Sequence, residues 1–273
     1  MMGEAASSDG EREIVLVGGI ANQGAVVRVG DTVRRPIRPA SPAIRQLLAH
    51  LEALGFSEAP RFLGVDDADR EIFSYIPGDV GVPPFGGWIA GEVASVETAR
   101  LLSRYHEAVA SFGFSTVAGW SDELADPVGG DVICHNDVCV ENVVFRDGRA
   151  VGLLDFDFAA PGRPIWDAAM AARMWAPLVH PGYRRAWPDG LDAVARFGRF
   201  ARAYGIAADQ AVEFVDAALA THNVGRAFVR RHVDAGDPAF VEMWHNFAGP
   251  ERDRLDGTWL MEIRDDLIHA TAP

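Results

Sequence analysis

The sequence contains no lysine: all 25 of its Lys and Arg positions are arginine. Mechanisms that need an ε-amino group are thereby excluded, among them Schiff-base and PLP chemistry and the lysine of a P-loop nucleotide site. Cysteine is nearly absent as well. Cys134 and Cys139 cannot build a disulfide framework, and their spacing is not C-x-x-C. Cys134, His135 and Cys139 lack the second Cys/His pair that a zinc site requires. No uncharged apolar run reaches the roughly 18 residues of a membrane span. Residues 1–10 are polar and acidic, without the basic and apolar regions of a secretory signal. The expectation is a soluble, cytoplasmic protein. Basic charge is also short. A net charge of −14 and a pI near 4.9 argue against a nucleic-acid or anionic-membrane partner. They suit a cationic or neutral small molecule.

What is present suffices for a sizeable core. Hydrophobic residues make up 49% of 273 positions, with 7 Trp and 15 Phe, enough for one large domain or two small ones. No internal repeat or low-complexity block interrupts the chain. Residues 13–17, 25–29 and 32–35 read as strands, the last two joined by a Gly30-Asp31 turn. Ser41-Pro42 reads as an N-cap and first helical residue. The following Ile44, Leu47, Leu48, Leu51 and Leu54 form one helical face, which Gly55 stops. Residues 60–65 and 70–76 read as a further strand pair. Pro77-Gly78 and residues 81–87 form a linker. Beyond it, residues 95–112, 193–204, 209–233 and 252–269 read as helices around a strand-rich island at 132–158. The layout is a small β-rich lobe, a hinge, and a larger helical lobe with a hairpin inset.

The island carries the chemistry. Asp137 and Asn142 sit on one tight loop. Val143–Phe145 and Val151–Leu154 are hairpin arms around a 146–149 turn, and Asp155 emerges at the end of the second arm. The hairpin returns Asp155 to Asn142. A carboxylate beside an amide oxygen is a hard, oxygen-only site of the kind Mg²⁺ takes when phosphates complete its shell. Asp137 is left as a free carboxylate that can accept a proton. His135 reads as an architectural residue of the loop.

His135-x-Asp137-x-x-x-x-Asn142 followed by Asp155-Phe156-Asp157 resembles the catalytic signature of the aminoglycoside phosphotransferase family and its choline and homoserine kinase relatives. Ala159–Pro164 with Trp166-Asp167, Tyr105-His106 and Ser74–Gly78 also resemble family segments, so the likeness runs over residues 14–175. It implies an α+β, bilobal protein-kinase-like fold. Residues 1–77 would be a small antiparallel β-sheet lobe that binds nucleotide, and residues 78–273 a larger, mostly helical catalytic and acceptor lobe. It further implies transfer of the γ-phosphoryl of ATP or GTP to a hydroxyl of a small molecule, foremost an aminoglycoside or other natural-product antibiotic. Asp137 would be the base, and Asn142 and Asp155 the Mg²⁺ ligands. Gly19, Asn22, Val33, Arg35, Ser74, Tyr75, Ile76 and Val144 would bind the nucleotide. Asp157, Glu251, Asp253, Asp256 and Glu262 would hold a polar or cationic acceptor. The same motif serves kinases of choline, homoserine or sugar amines, and a nucleotide-binding pseudoenzyme is the reading from another class. The family also pairs a third-strand lysine with a helix glutamate. This chain has neither, and Ile44 stands at the glutamate's place. Strand alternation puts Val33 and Arg35 on one face. Val33 is therefore expected over the base and Arg35 on the phosphates.

Overall fold

The computed structural model describes residues 12–16, 25–114, 117–247 and 249–272. Short strands rich in β-branched and aromatic residues form a five-stranded antiparallel sheet of order β1-β2-β3-β5-β4. They are β1 (Ile14–Val15), β2 (Val27–Val29), β3 (Thr32–Pro36), β4 (Phe62–Val65) and β5 (Arg70–Ser74). Helix α1 (Ser41–Ala53) buries Ile44, Leu47, Leu48 and Leu51, the stripe that the apolar spacing marks. Its cap differs from the expectation. Ala40 is the N-cap, and Ser41 already lies inside the helix. The Ser41 hydroxyl accepts from the Arg38 N–H at 3.0 Å and donates to Glu71 Oε2 at 2.8 Å. A serine that reads as a cap is spent on a buried carboxylate.

The hinge is tied to the second part of the chain by backbone. Asp79 and Phe145 exchange N–H···O bonds of 2.8 and 2.7 Å. A Cβ on the preceding Gly78, at φ +151°, would stand 2.4 Å from the Phe145 carbonyl oxygen, so the approach requires glycine.

Beyond the hinge come α2 (Gly87–Ala90), α3 (Glu92–Val109), α4 (Pro164–Trp175), α5 (Ala193–Tyr204), α6 (Ala211–Asp234), α7 (Pro238–Asn246), α8 (Gly249–Glu262) and α9 (Arg264–Thr271). Between α3 and α4 lie the hairpin β7 (Val143–Arg146) and β8 (Arg149–Leu153) and the paired β6 (Val132–Cys134) and β9 (Ala160–Gly162). Helix α4 packs on α5 and α6 and buries Trp166 to Ala172 and Trp175. With almost every face covered it shows no polar stripe, and periodicity alone does not mark it. The helix expected over 252–269 is two helices broken at Ile263. The break turns α9 onto α5, where a Cβ on Gly198 would meet the Ala270 carbonyl oxygen at 2.1 Å. Among the described residues, no helix is long and apolar enough to cross a membrane.

One buried cation joins three of these helices. Arg196, 1% exposed, donates Nε to Trp175 O at 2.5 Å. Nη1 reaches Ala90 O and Gly91 O at 2.6 and 2.9 Å, and Nη2 reaches Ile89 O at 2.8 Å. The guanidinium thus satisfies the open carbonyls where α2 and α4 end. Burial lowers its pKa to about 10, so it stays charged at neutral pH. Removing it strands several buried carbonyls. Arg196→Met is expected to lower unfolding free energy by about 2–4 kcal/mol in urea titrations, and Arg196→Lys to recover less than half. A loss below about 0.5 kcal/mol for Arg196→Met would show that the clamp is dispensable.

Candidate active site

The loop between β6 and β7 is held by one carboxylate. Asp167, fully buried on the first turn of α4, accepts the backbone N–H groups of His135 and Asn136 at 2.6 and 2.9 Å. His106 Nε2 of α3 donates to it at 3.0 Å, and the far nitrogen of that ring meets the Tyr204 hydroxyl at 2.7 Å. Burial pushes the Asp167 carboxyl up, but the hydrogen bond from His106 and those from the loop backbone outweigh it, and the net shift is downward. Asn136 in this loop has φ +62°, and Asp155 in the turn after β8 has φ +60°, left-handed conformations uncommon outside glycine and met at functional turns. His135 Nδ1 accepts the Asp137 N–H at 3.3 Å, so its proton sits on Nε2, which donates to Leu154 O at 2.9 Å. Burial holds His135 near pKa 4, a neutral strut between the two strained turns.

Asn142 donates Nδ2 to the Asp137 carbonyl at 3.0 Å and to Asp137 Oδ2 at 2.8 Å. Among the described residues, nothing donates a hydrogen bond to its side-chain oxygen. Its backbone oxygen takes the Leu154 N–H at 2.8 Å, which brings Asp155 alongside. Two cavities meet here. The first, of about 260 Å³, is lined by Val33, Arg35, Phe73, Ser74, Tyr75, Ile76 and Val144. The second, of about 1100 Å³, is lined by Asp137, Asp157, Trp120, Asp122, Phe228 and Asp237. Glu141, Asn142 and Asp155 border both. Burial, then Asp155 and Glu141, push the Asp137 carboxyl well above its usual range. Burial, then Asp157, push Asp155 up, while Arg35 and Arg38 pull it down. The junction is a concentration of carboxylates with too little compensating positive charge.

Arg35 faces the first cavity, as alternation requires. Nε donates to Glu71 Oε2 at 3.1 Å and Nη1 to Asp157 Oδ1 at 2.6 Å, with Asp155 Oδ1 at 3.7 Å. Nη2 is buried without a hydrogen-bond partner among the described residues. Burial works to lower its pKa, but Asp157, Glu71 and Asp155 outweigh it and the net shift is upward. Arg34 points to the opposite face and pairs with Asp66 at 3.6 Å. Arg35 is therefore not left without a glutamate. Its partner is Glu71, its neighbour across the β3–β5 ladder, while Ile44 packs in the core of α1.

Residues 98–203 match the model of the phosphotransferase enzyme family. Over 274 aligned residues the chain is 31% identical to the trifolitoxin immunity protein of Rhizobium leguminosarum bv. trifolii, spanning 95% of this chain and 99% of that one. The chain belongs to the phosphotransferase enzyme family. Solved structures agree on the fold. A choline/ethanolamine kinase family protein from Mesorhizobium loti superposes with a TM-score of 0.61 at 16% identity, over 96% of this chain and 92% of that one. The GDP complex of a mutant aminoglycoside 2′-phosphotransferase-IIIa superposes with a TM-score of 0.60 at 14% identity, over 93% and 94%. The fold is α+β and protein-kinase-like, a small antiparallel sheet followed by a larger helical part.

Within this phosphotransferase fold, the residues expected at the acceptor scatter. Asp157 lines the second cavity, held by Arg35 and, at 3.0 Å, by Arg38. Asp253 is bound by Arg226 and Arg230. Asp256, 1% exposed, accepts the His180 N–H at 2.6 Å and Arg252 at 3.3 Å. Glu251 and Glu262 are exposed on α8. None of these last four borders the second cavity. Away from the junction, the acids of that cavity are Asp122, Glu123 and Asp237. They sit in turn-rich segments without a motif; only Asp237-Pro238 carries a signal, and that signal is helix capping, which Asp237 performs on Ala239 N–H at 3.1 Å. Gly19 and Asn22 lie outside the described residues.

The neutral strut makes stability depend on pH. His135 near 4, and His222 near 3 by burial and then by Arg173, protonate far more readily in the unfolded chain, at about 6.5. Between pH 6.5 and 4 the unfolded chain binds more of these protons, so their contribution to stability falls as pH falls. The raised Asp137 and Asp155 act in the opposite sense, so the informative quantity is a difference. His135→Gln is expected to remove a pH-dependent term of up to about 3 kcal/mol, measured by urea unfolding of both proteins from pH 7 to 4.5. Parallel profiles would contradict a buried neutral His135.

Proposed function

We propose that this protein moves the γ-phosphoryl group of ATP or GTP to a hydroxyl of a small molecule bearing positive charge. The observation that carries the reading is the junction itself: Asn142 and Asp155 border both cavities, and Asp137 opens only on the larger one. The nucleotide takes the first cavity. Its base lies between Val33 and Val144 beside residues 74–76, and its phosphates reach Arg35. A permanently charged guanidinium with an unused, buried nitrogen suits a phosphate oxygen. Asp137 takes the hydroxyl proton as that oxygen bonds to the γ-phosphorus and the bond to the β-phosphate oxygen breaks, with ADP or GDP leaving. The Asn142 amide keeps the Asp137 carboxylate in place.

Mg²⁺ fits the residues present. The free amide oxygen of Asn142 and the Asp155 carboxylate are hard donors, and the surplus of carboxylates around them calls for a cation. Asn142 and Asp155 would hold the ion, which when bound offsets charge on the transferring phosphates.

The acceptor cavity combines Asp122, Glu123 and Asp237 with Trp120, Phe158, Phe228 and Phe240. An acidic rim and an aromatic wall suit an amine-bearing compound with an apolar body. A relative named for immunity to a toxin supports a bioactive compound, such as an aminoglycoside or other antibiotic, as that acceptor. The aromatic wall favours a second reading, a kinase for a small metabolite amine of the choline type. Incubation with ATP or GTP against a panel of both classes, read by mass spectrometry, separates them. A phosphorylated product from neither would defeat the proposal.

Asp137→Ala is expected to lower kcat by about 10²–10⁴-fold while Mg-nucleotide affinity stays within a few fold. Because the Asp137 pKa is raised, the wild-type kcat/KM for acceptor should be lost on the acid side above pH ~4; retention of near-wild-type kcat in the variant would remove Asp137 as base. Arg35→Ala is expected to cost about 2–3 kcal/mol in kcat/KM for nucleotide, and Arg34→Ala little. Steady-state kinetics in which Arg34→Ala is the damaging change would reverse the assigned strand face.

A further inference from the structure

We infer that Glu71 is the positioning residue of the phosphate clamp, fixing the Arg35 guanidinium from the neighbouring strand where no helix carboxylate exists. This rests on the nucleotide reading of the first cavity. Glu71 has no solvent exposure, and both of its oxygens are engaged. Oε2 accepts Arg35 Nε at 3.1 Å and the Ser41 hydroxyl at 2.8 Å; Oε1 accepts Arg45 Nε at 2.7 Å. Arg45 comes from α1, the helix that would otherwise be looked to for the acid. Its guanidinium lies 4.6 Å over the Phe62 ring, and that of Arg35 lies 4.9 Å over Phe73. The two rings are 5.7 Å apart. Two cations thus flank an aromatic pair, and one carboxylate bridges their Nε atoms.

The bridge has a consequence for chemistry. Among the described residues, the other acid partners of Arg35 are Asp157 and Asp155, the second at 3.7 Å. Without Glu71 at its Nε end, Arg35 would be drawn onto Asp155, the carboxylate assigned to the metal. With Glu71 in place the guanidinium is held at one edge, Nη1 meets Asp157, and Nη2 remains for a ligand. A second cation, Arg45, and a hydroxyl, Ser41, also bind Glu71, so that Arg35 is not its sole support.

A merely structural ion pair would affect every ligand of the cavity alike, whereas a phosphate clamp acts on phosphates. The test is calorimetric binding of ATP and GTP with Mg²⁺, and of adenosine and guanosine, to wild type, Glu71→Gln, Ser41→Ala, Arg35→Met and the double variant Arg35→Met/Glu71→Gln. Glu71→Gln is expected to weaken the better-bound triphosphate roughly tenfold and leave its nucleoside within about twofold. Ser41→Ala should give the same pattern at about two- to threefold, and it decides the matter if Glu71→Gln does not fold. The double variant should bind triphosphate no more weakly than Arg35→Met, because Glu71 acts through Arg35. Equal losses for triphosphate and nucleoside, additive losses in the double variant, or a Ser41→Ala protein with wild-type triphosphate affinity would overturn the assignment of Glu71. A wild-type protein that binds neither triphosphate would overturn the nucleotide reading itself, and this inference with it.

Discussion

The whole site hangs from the Asp167 carboxylate. Three N–H groups converge on it, two from the backbone of the loop and one from the His106 ring. By taking them, it sets where β6 ends and in what conformation the chain passes through Asn136. A buried ionised group is costly unless its lone pairs are filled. The cost is offset only when α3, α4 and the loop are all in place. The residue is thus a condition on assembly: helices and loop are correct together or the charge is stranded. Asp137 inherits its position from this condition, and through Asn142 and the Leu154 backbone so does Asp155.

Charge is distributed unevenly around that anchor. Every fixed cation is an arginine, with a planar fork that meets carboxylates or carbonyls at more than one point. Arg196 illustrates the structural use, its hydrogen bonds among the described residues all going to backbone oxygens. Arg35 illustrates the other, bound at Nε and Nη1 and open at Nη2. Around the junction, Asp137, Glu141, Asp155 and Asp157 outnumber their cations. Folding leaves a negative site that a divalent ion and a cationic acceptor both suit.

The legible parts of this protein are those where residue types and spacing carry the physics. The hairpin between Asn142 and Asp155 follows from β-branched runs around an Asp-Gly turn, and the structure brings those side chains to one junction. Strand alternation sufficed to separate Arg35 from Arg34. Less was readable where the relevant neighbour is remote. Glu71 stands 36 positions from Arg35, and nothing local shows that β3 and β5 are adjacent; an acid between Arg70 and Ile72 in an otherwise strand-like run was the one trace. Helix α4 was hidden by being buried on nearly all faces. The acids of α8 are expected at the acceptor from the family likeness alone, and their spacing does not show that Glu251 and Glu262 are exposed on that helix while Asp253 and Asp256 are paired with arginines.

Arg35 and Glu71 face each other in register across an antiparallel ladder. Where the partner acid of a kinase clamp rides on a helix, rotation of that helix can separate the pair, and such enzymes are switched in this way. Here the separation of the pair is set by the hydrogen-bond spacing of the sheet. That register cannot be lost without parting β3 from β5, which would open the middle of the five-stranded sheet. On the proposed reading, no rotation of a helix can therefore disengage this half of the clamp, and control of turnover falls to entry of the acceptor or the supply of donor.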